Sequence, residues 1–215
     1  MTRQNRVTPF GDIVATPDRG TLMGNRGLLH DAGGRIRRAW QLRRWIVCVL
    51  AFKGRRRQVM TPGRYTELFF LDEATGLAAG HRPCAECRRT RYTAFRTAWA
   101  AHLGRDGSPP SAGEIDDRLH AERVGPDRSK RIFLARLDDL PDGVFIQHSE
   151  QKEVAYLVWG DGLLAWSAGG YTRRIDRPTG AAVLVLTPAS TVGAIRAGYV
   201  PDVHPSAAAW LDRRR

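Results

Sequence analysis

The tetrapeptide Cys84-Ala85-Glu86-Cys87 constrains this chain more than any other short stretch. Two cysteines separated by two residues can point both thiolates at one tetrahedral metal ion, because the turn between them brings the sulfurs together and offers them its backbone amides. Cys48 is the third and last cysteine of the 215 residues. An odd number, with two so close together, does not make the framework of a secreted disulfide protein. In a reducing compartment a C-x-x-C is a metal knuckle or a redox pair. Arg82, Arg88 and Arg89 would lower the thiol pKa values, which favours either chemistry. A structural zinc ion is the cofactor expected here, with Cys84 and Cys87 as two of its ligands.

The knuckle sits in a legible local context. Tyr65 to Leu71 reads as a strand, and Asp72 is an N-cap type residue before the short helix of Glu73 to Ala79. Gly80 stops that helix, and His81-Arg82-Pro83 cannot continue it. Beyond the knuckle, Tyr92, Phe95, Trp99 and Leu103 fall at the spacing of an amphipathic helix over Arg88 to Leu103.

Leu68-Phe69-Phe70-Leu71-Asp72 through Ala78-Ala79-Gly80-His81-Arg82-Pro83-Cys84-Ala85-Glu86-Cys87-Arg88 resembles the end of the zinc-binding domain of Ada-type DNA alkylation-repair regulators. In that family an aromatic strand, a short helix, an A-A-G-[YF]-R-P turn and a C-x-x-C follow in this order. The likeness covers residues 65–89. It implies a small zinc-bound fold and DNA as partner. The family also places two further cysteine ligands shortly before the aromatic strand, one family thiolate accepting a methyl group from the DNA backbone. Here only Cys48 lies upstream, farther away and without a second cysteine beside it, and nothing C-terminal resembles an alkyltransferase site. The resemblance therefore carries the fold and the metal, not methyl transfer. Cys48 and His30 are the candidates to complete the site, His30 because the neighbouring Asp31 can orient its second nitrogen. Cys48 is equally readable as a core cysteine, since Ile46, Leu50 and Phe52 share its strand face. His81 stands where the family has an aromatic ring and is expected to pack as one.

Charge points the same way. The formal net charge is +12, and from Ala32 to Thr66 there is no Asp or Glu against Arg35, Arg37, Arg38, Arg43, Arg44, Lys53, Arg55, Arg56, Arg57 and Arg64. A GC-rich genome exchanges Lys for Arg, but it does not remove every acid from such a run. The field attracts phosphate backbones, so nucleic acid is the partner expected, and the family resemblance implies DNA. Arg55, Arg56, Arg57, Arg82, Arg88 and Arg89 are the contact residues named on this ground.

Elsewhere the pattern is mixed. Trp45 to Phe52 is an apolar, β-branched run read as a buried strand, with Arg57 to Met60 as its return after Gly54. Glu114 to Arg123 reads as a helix, and Val144 to Gln147, Ala155 to Trp159, Leu163 to Trp166 and Ala181 to Leu186 read as strands. The expected class is α+β, a mainly antiparallel sheet with a few short helices and a zinc-knuckle-like turn. One domain is expected, with a basic cysteine-bearing part over 1–103 and an acidic, then β-rich part over 114–205. Ala79-Gly80-His81-Arg82-Pro83-Cys84 and Ala197-Gly198-Tyr199-Val200-Pro201-Asp202 end two similar strand-to-helix units, punctuation that a duplication or any strand followed by a helix would give. His120 and Glu122 are acid-base candidates for the competing class, an enzyme acting on nucleic acid or nucleotides with a merely structural knuckle. A solvated acidic helix explains that pair as well. A metal-free protein-interaction domain is the third class. No stretch reaches the roughly 18 apolar residues that cross a bilayer, and the N-terminus lacks an apolar signal core, so a cytoplasmic protein is expected.

Overall fold

The structure, a computed structural model, describes residues 2–55, 58–105, 108–148 and 151–210. The chain is α+β, and its described residues form two six-stranded sheets and a few short helices. The first sheet joins β1 (Gln4–Val7), β2 (Ile13–Ala15), β3 (Leu22–Asn25), β4 (Ile46–Cys48), β5 (Leu68–Phe70) and β6 (Arg82–Pro83) in the order β2-β1-β5-β3-β4-β6. Only its β1–β5 and β4–β6 pairs are parallel. The second sheet is antiparallel throughout: β7 (Phe133–Arg136), β8 (Phe145–His148), β9 (Gln151–Trp159), β10 (Gly162–Ser167), β11 (Gly170–Asp176) and β12 (Ala182–Val185), ordered β11-β10-β9-β8-β12-β7.

Among the described residues four α-helices connect these layers: α1 (Glu73–Ala78), α2 (Arg89–His102), α3 (Ala112–Arg123) and α4 (Ala189–Arg196). Alternation in β8 sends Ile146 to one face of the second sheet and Phe145 to the other. On the Ile146 side, Tyr92, Phe95 and Trp99 of α2 pack with Ile115 and Leu119 of α3 and Val192 of α4. On the Phe145 side lie Ala74 and Ala78 of α1 and Ala207 of the short helix Pro205–Trp210. The inner face of the first sheet presents Val7, Val47, Leu68 and Phe70 to a third cluster.

Helix α1 is the hub. Every one of its residues is buried, and Asp72 caps it by accepting from the Thr75 amide at 2.8 Å. The other carboxylate oxygen of Asp72 takes the Tyr171 hydroxyl at 2.7 Å and the His204 amide at 2.9 Å, so one cap ties three segments together. Gly80, at φ 92°, ends the helix where other residues would be strained. The second unit, β12 to α4, stops in the same way. His81 and Tyr199 donate backbone bonds to Gly76 and Ala194, each five residues back.

Two sequence expectations change. The strand expected over Trp45 to Phe52 is regular only over Ile46–Cys48. Its return strand is absent among the described residues of 57–60, where 59 and 60 form a turn. The neighbours of β4 are instead β3 and β6. No helix of the described residues is long and apolar enough to cross a membrane.

Candidate metal centre

Cys48 ends β4, and β6 runs parallel beside it with Val47 opposite Pro83. The ladder continues one step further, the Cys84 amide donating to Val47 O at 2.9 Å. Pro83 and the stop at Gly80 thus deliver the knuckle to the end of β4, and a tight turn brings Cys87 back before α2 begins. The sulfurs of Cys48, Cys84 and Cys87 all lie within 4.8 Å of one another. All three cysteines are free, two of them buried and Cys87 half-buried.

Amides face these sulfurs. The Glu86 N–H approaches the Cys84 sulfur at 3.4 Å. A bond from the Cys48 thiol, with the amides of Cys87 and Glu86, outweighs burial and holds the Cys84 thiol down to about 5. Cys48, donor of that bond and buried, is pushed far above its ordinary value. Cys87 is also raised, chiefly by burial, although the Val49 amide works the other way. Without a cation the trio thus carries one thiolate readily and resists a second. A bound cation removes that resistance by neutralising the charge, and the three cysteines can hold a metal ion.

His30 stands outside this sulfur group. Its ring nitrogens face the Thr66 hydroxyl at 2.6 Å and the Thr61 carbonyl at 3.3 Å, and its backbone bridges to Ile36, so it braces a loop. His81 packs between Trp45 and Phe70, ring centroids 5.2 and 4.7 Å away, and takes the Arg26 Nε–H at 3.2 Å. Burial beside Arg26 and Arg123 keeps it neutral.

The expected phosphate contacts divide. Arg82 is buried, with Nε and Nη2 in a fork on Asp116 at 2.8 and 2.7 Å. Arg88 is buried as well, bonded to Glu73 at 2.6 Å and Asp202 at 2.9 Å. Both are corrected from surface contacts to internal ties, since a guanidinium committed to a buried carboxylate is not presented to a backbone phosphate. Arg55 is exposed and pairs with Glu86 at 2.7 Å, Arg89 is exposed, and Arg56 and Arg57 lie outside the described residues.

The sequence reading missed Glu73. Its carboxylate accepts from Arg88, from Arg91, from the Tyr199 hydroxyl at 2.6 Å and from the Asp202 amide at 3.0 Å. Burial alone would raise it, but these donors together hold it below the usual carboxylate range. An acid at the start of an otherwise apolar helix was the available signal.

His120 and Glu122 each have their own partners. His120 stands edge-on to Trp40 at 4.7 Å, and Glu122 is occupied by Arg118 at 2.6 Å and by the Ser190 amide and hydroxyl at 2.9 and 2.7 Å. The carboxylate there fixes the start of α4.

No family model matches the chain, and no curated protein or solved structure matches it.

Proposed function

We propose that Cys48, Cys84 and Cys87 hold a structural zinc ion, and that the chain is a zinc-stabilised nucleic-acid-binding protein acting in DNA repair or regulation. The observation that carries this reading is the convergence of three sulfurs from two separate segments. Thiolates on a tetrahedral zinc, each about 2.3 Å from the ion, are roughly 3.8 Å apart. A group within 4.8 Å needs only a small contraction to reach that geometry. Three ligands leave one position for a donor from outside the trio, such as water. Bound there, zinc clamps the start of α2, where Arg89 stands, to the end of β4 and so fixes the turn whose Glu86 pairs with Arg55.

Exposed charge supports nucleic acid as the partner. Arg35, Arg38, Arg44, Arg64 and Arg89 are exposed and carry no ion pair among the described residues. Cations so placed release counterions from a phosphate backbone, which makes binding steeply dependent on salt. The test is a titration of labelled DNA and RNA across a salt series. Affinity should fall linearly on a double-logarithmic plot, and Arg89→Gln should reduce the slope by about one. Binding that ignores salt, or none at about 50 mM salt, would refute the reading.

A further inference from the structure

The face of the first sheet that turns away from its core carries a row of directly paired residues. Arg6 of β1 lies opposite Phe69 of β5, Phe69 opposite Met23 of β3, and Met23 opposite Cys48 of β4. Paired residues point to the same face, and their chain neighbours Val7, Leu68, Phe70 and Val47 fill the inner core. Phe69 is thus an aromatic ring on the outward side, only half-buried.

At the β1 end of this row Arg3, Asn5, Arg6, Val59 and Phe69 line a shallow cavity of about 340 Å³ that opens widely to solvent. The Arg6 guanidinium lies over the Phe69 ring, its carbon 4.8 Å from the centroid. It is held there by bonds to Asn5 Oδ1 at 2.5 Å and Asp18 O at 2.6 Å. Arg3 is tethered to the Val59 carbonyl. Neither arginine has a carboxylate partner among the described residues. Burial and Arg19, only partly offset by Asp18, disfavour the charge on Arg6, so an arriving anion would relieve it.

We propose that this cavity takes one nucleotide of a single-stranded nucleic acid, its phosphate between Arg3 and Arg6 and its base against the Phe69–Arg6 step. The chemistry is that of an anion joined to a flat ring. Guanidinium groups recognise phosphate, and both aromatic rings and guanidinium planes stack on bases. The volume lies at the small end of ligand pockets, enough for one unstacked base. A base inside a duplex has both faces covered by its neighbours and cannot enter. Cys48 lies three strand spacings along the row, roughly 14 Å away, which puts the metal site and the cavity on one sheet face.

This assignment rests on the nucleic-acid reading, and one experiment separates the two. The zinc-loaded full chain is titrated by fluorescence anisotropy with a labelled single-stranded oligothymidylate and with its duplex, then competed with AMP and with inorganic phosphate. Single strand should bind more tightly than duplex, and AMP should compete better than phosphate. Phe69→Leu and Arg3→Gln should each weaken the single strand about tenfold at unchanged zinc content and melting temperature, whereas Arg136→Gln on β7 should not. Arg3 is exposed, so its variant keeps the test sound if Phe69→Leu folds poorly. If the wild type binds the oligonucleotide and both variants match it, the cavity assignment falls and the nucleic-acid reading stands. If AMP binds but no oligonucleotide does, or nothing binds, both fall.

Discussion

Arg88 donates to Glu73 at 2.6 Å with their side chains 5% and 0% exposed, an ion pair sealed between the start of α2 and the start of α1. Arg91 and Tyr199 reach the same carboxylate, so Glu73 ties the knuckle's following helix to the turn after α4. Removing Arg88 leaves the buried Glu73 carboxylate with Arg91 as its remaining guanidinium and strips away the more buried of its two cations. Arg88→Met should therefore cost about 3 kcal/mol in urea unfolding. If Arg88 instead faced a phosphate backbone, the substitution would leave stability unchanged and alter only binding.

Arg82→Met should behave alike, because it strands Asp116, which accepts both arms of the fork. Burial raises the Asp116 carboxyl while Arg82 lowers it, with a net rise. Without Arg82 the largest of the lowering contributions is gone and only those of Arg123 and Arg44 remain. The fold of this variant should thus weaken more above pH 5 than below it, as unfolding curves at the two pH values would reveal.

These two arginines mark where the sequence stops being readable. Local punctuation is enough to place α1: Asp72 caps it, Gly80 stops it, and both choices are made by neighbouring backbone. The aromatic spacing of α2 and the apolar runs of β8 to β10 are legible for the same reason, since period and burial are properties of one segment. Ion pairing is not. Arg82 and Asp116 are 34 residues apart and Glu73 and Tyr199 126 apart, so charge counting saw only exposed cations where the fold makes internal ties. Cys48 was readable as ligand or as core. What brings its sulfur to the knuckle is the parallel β4–β6 pairing, which no local pattern announces. β11, with its run of Thr172, Arg173 and Arg174, lacks the apolar alternation that marks a strand and owes its place to pairing with β10.

Gly76 shows how closely α1 approaches the strand that carries Cys48. A Cβ there would meet Val47 Cγ2 at 2.7 Å. Gly76→Ala gains about 1 kcal/mol of helix propensity. Overpacking a core at that distance costs about 1–3 kcal/mol, and Val47 is fully buried with little room to yield. Net destabilisation is expected, together with weaker zinc retention against a chelator, because the shifted residue precedes Cys48.

Two buried arginines beside a half-buried lysine give a pH signature. Arg26 and Arg123 each place a guanidinium carbon 4.1 Å from the Trp45 ring centroid, and Lys130 donates to Ala78 O at 2.6 Å. Burial and Arg26, partly offset by Asp12, and then Arg123 bring the Lys130 ammonium down to about 7. An unfolded lysine titrates near ~10.4. Between those values the unfolded chain binds the extra proton, so the stability contributed by Lys130 rises as pH increases from about 7 towards 10. Lys130→Met removes this dependence. It should raise the melting temperature more at pH 6 than at pH 9, and melting curves at the two pH values check the sign.

Metal content tests the central claim most directly. Elemental analysis of the purified chain, with thiol titration before and after a chelator, should find about one zinc per chain and thiols that become reactive only once zinc is withdrawn. Cys48→Ser should lose most of that zinc, which distinguishes a three-sulfur site from a knuckle acting alone. Less than about half an equivalent of zinc in the wild type, with all three thiols freely titratable from the outset, would contradict the account.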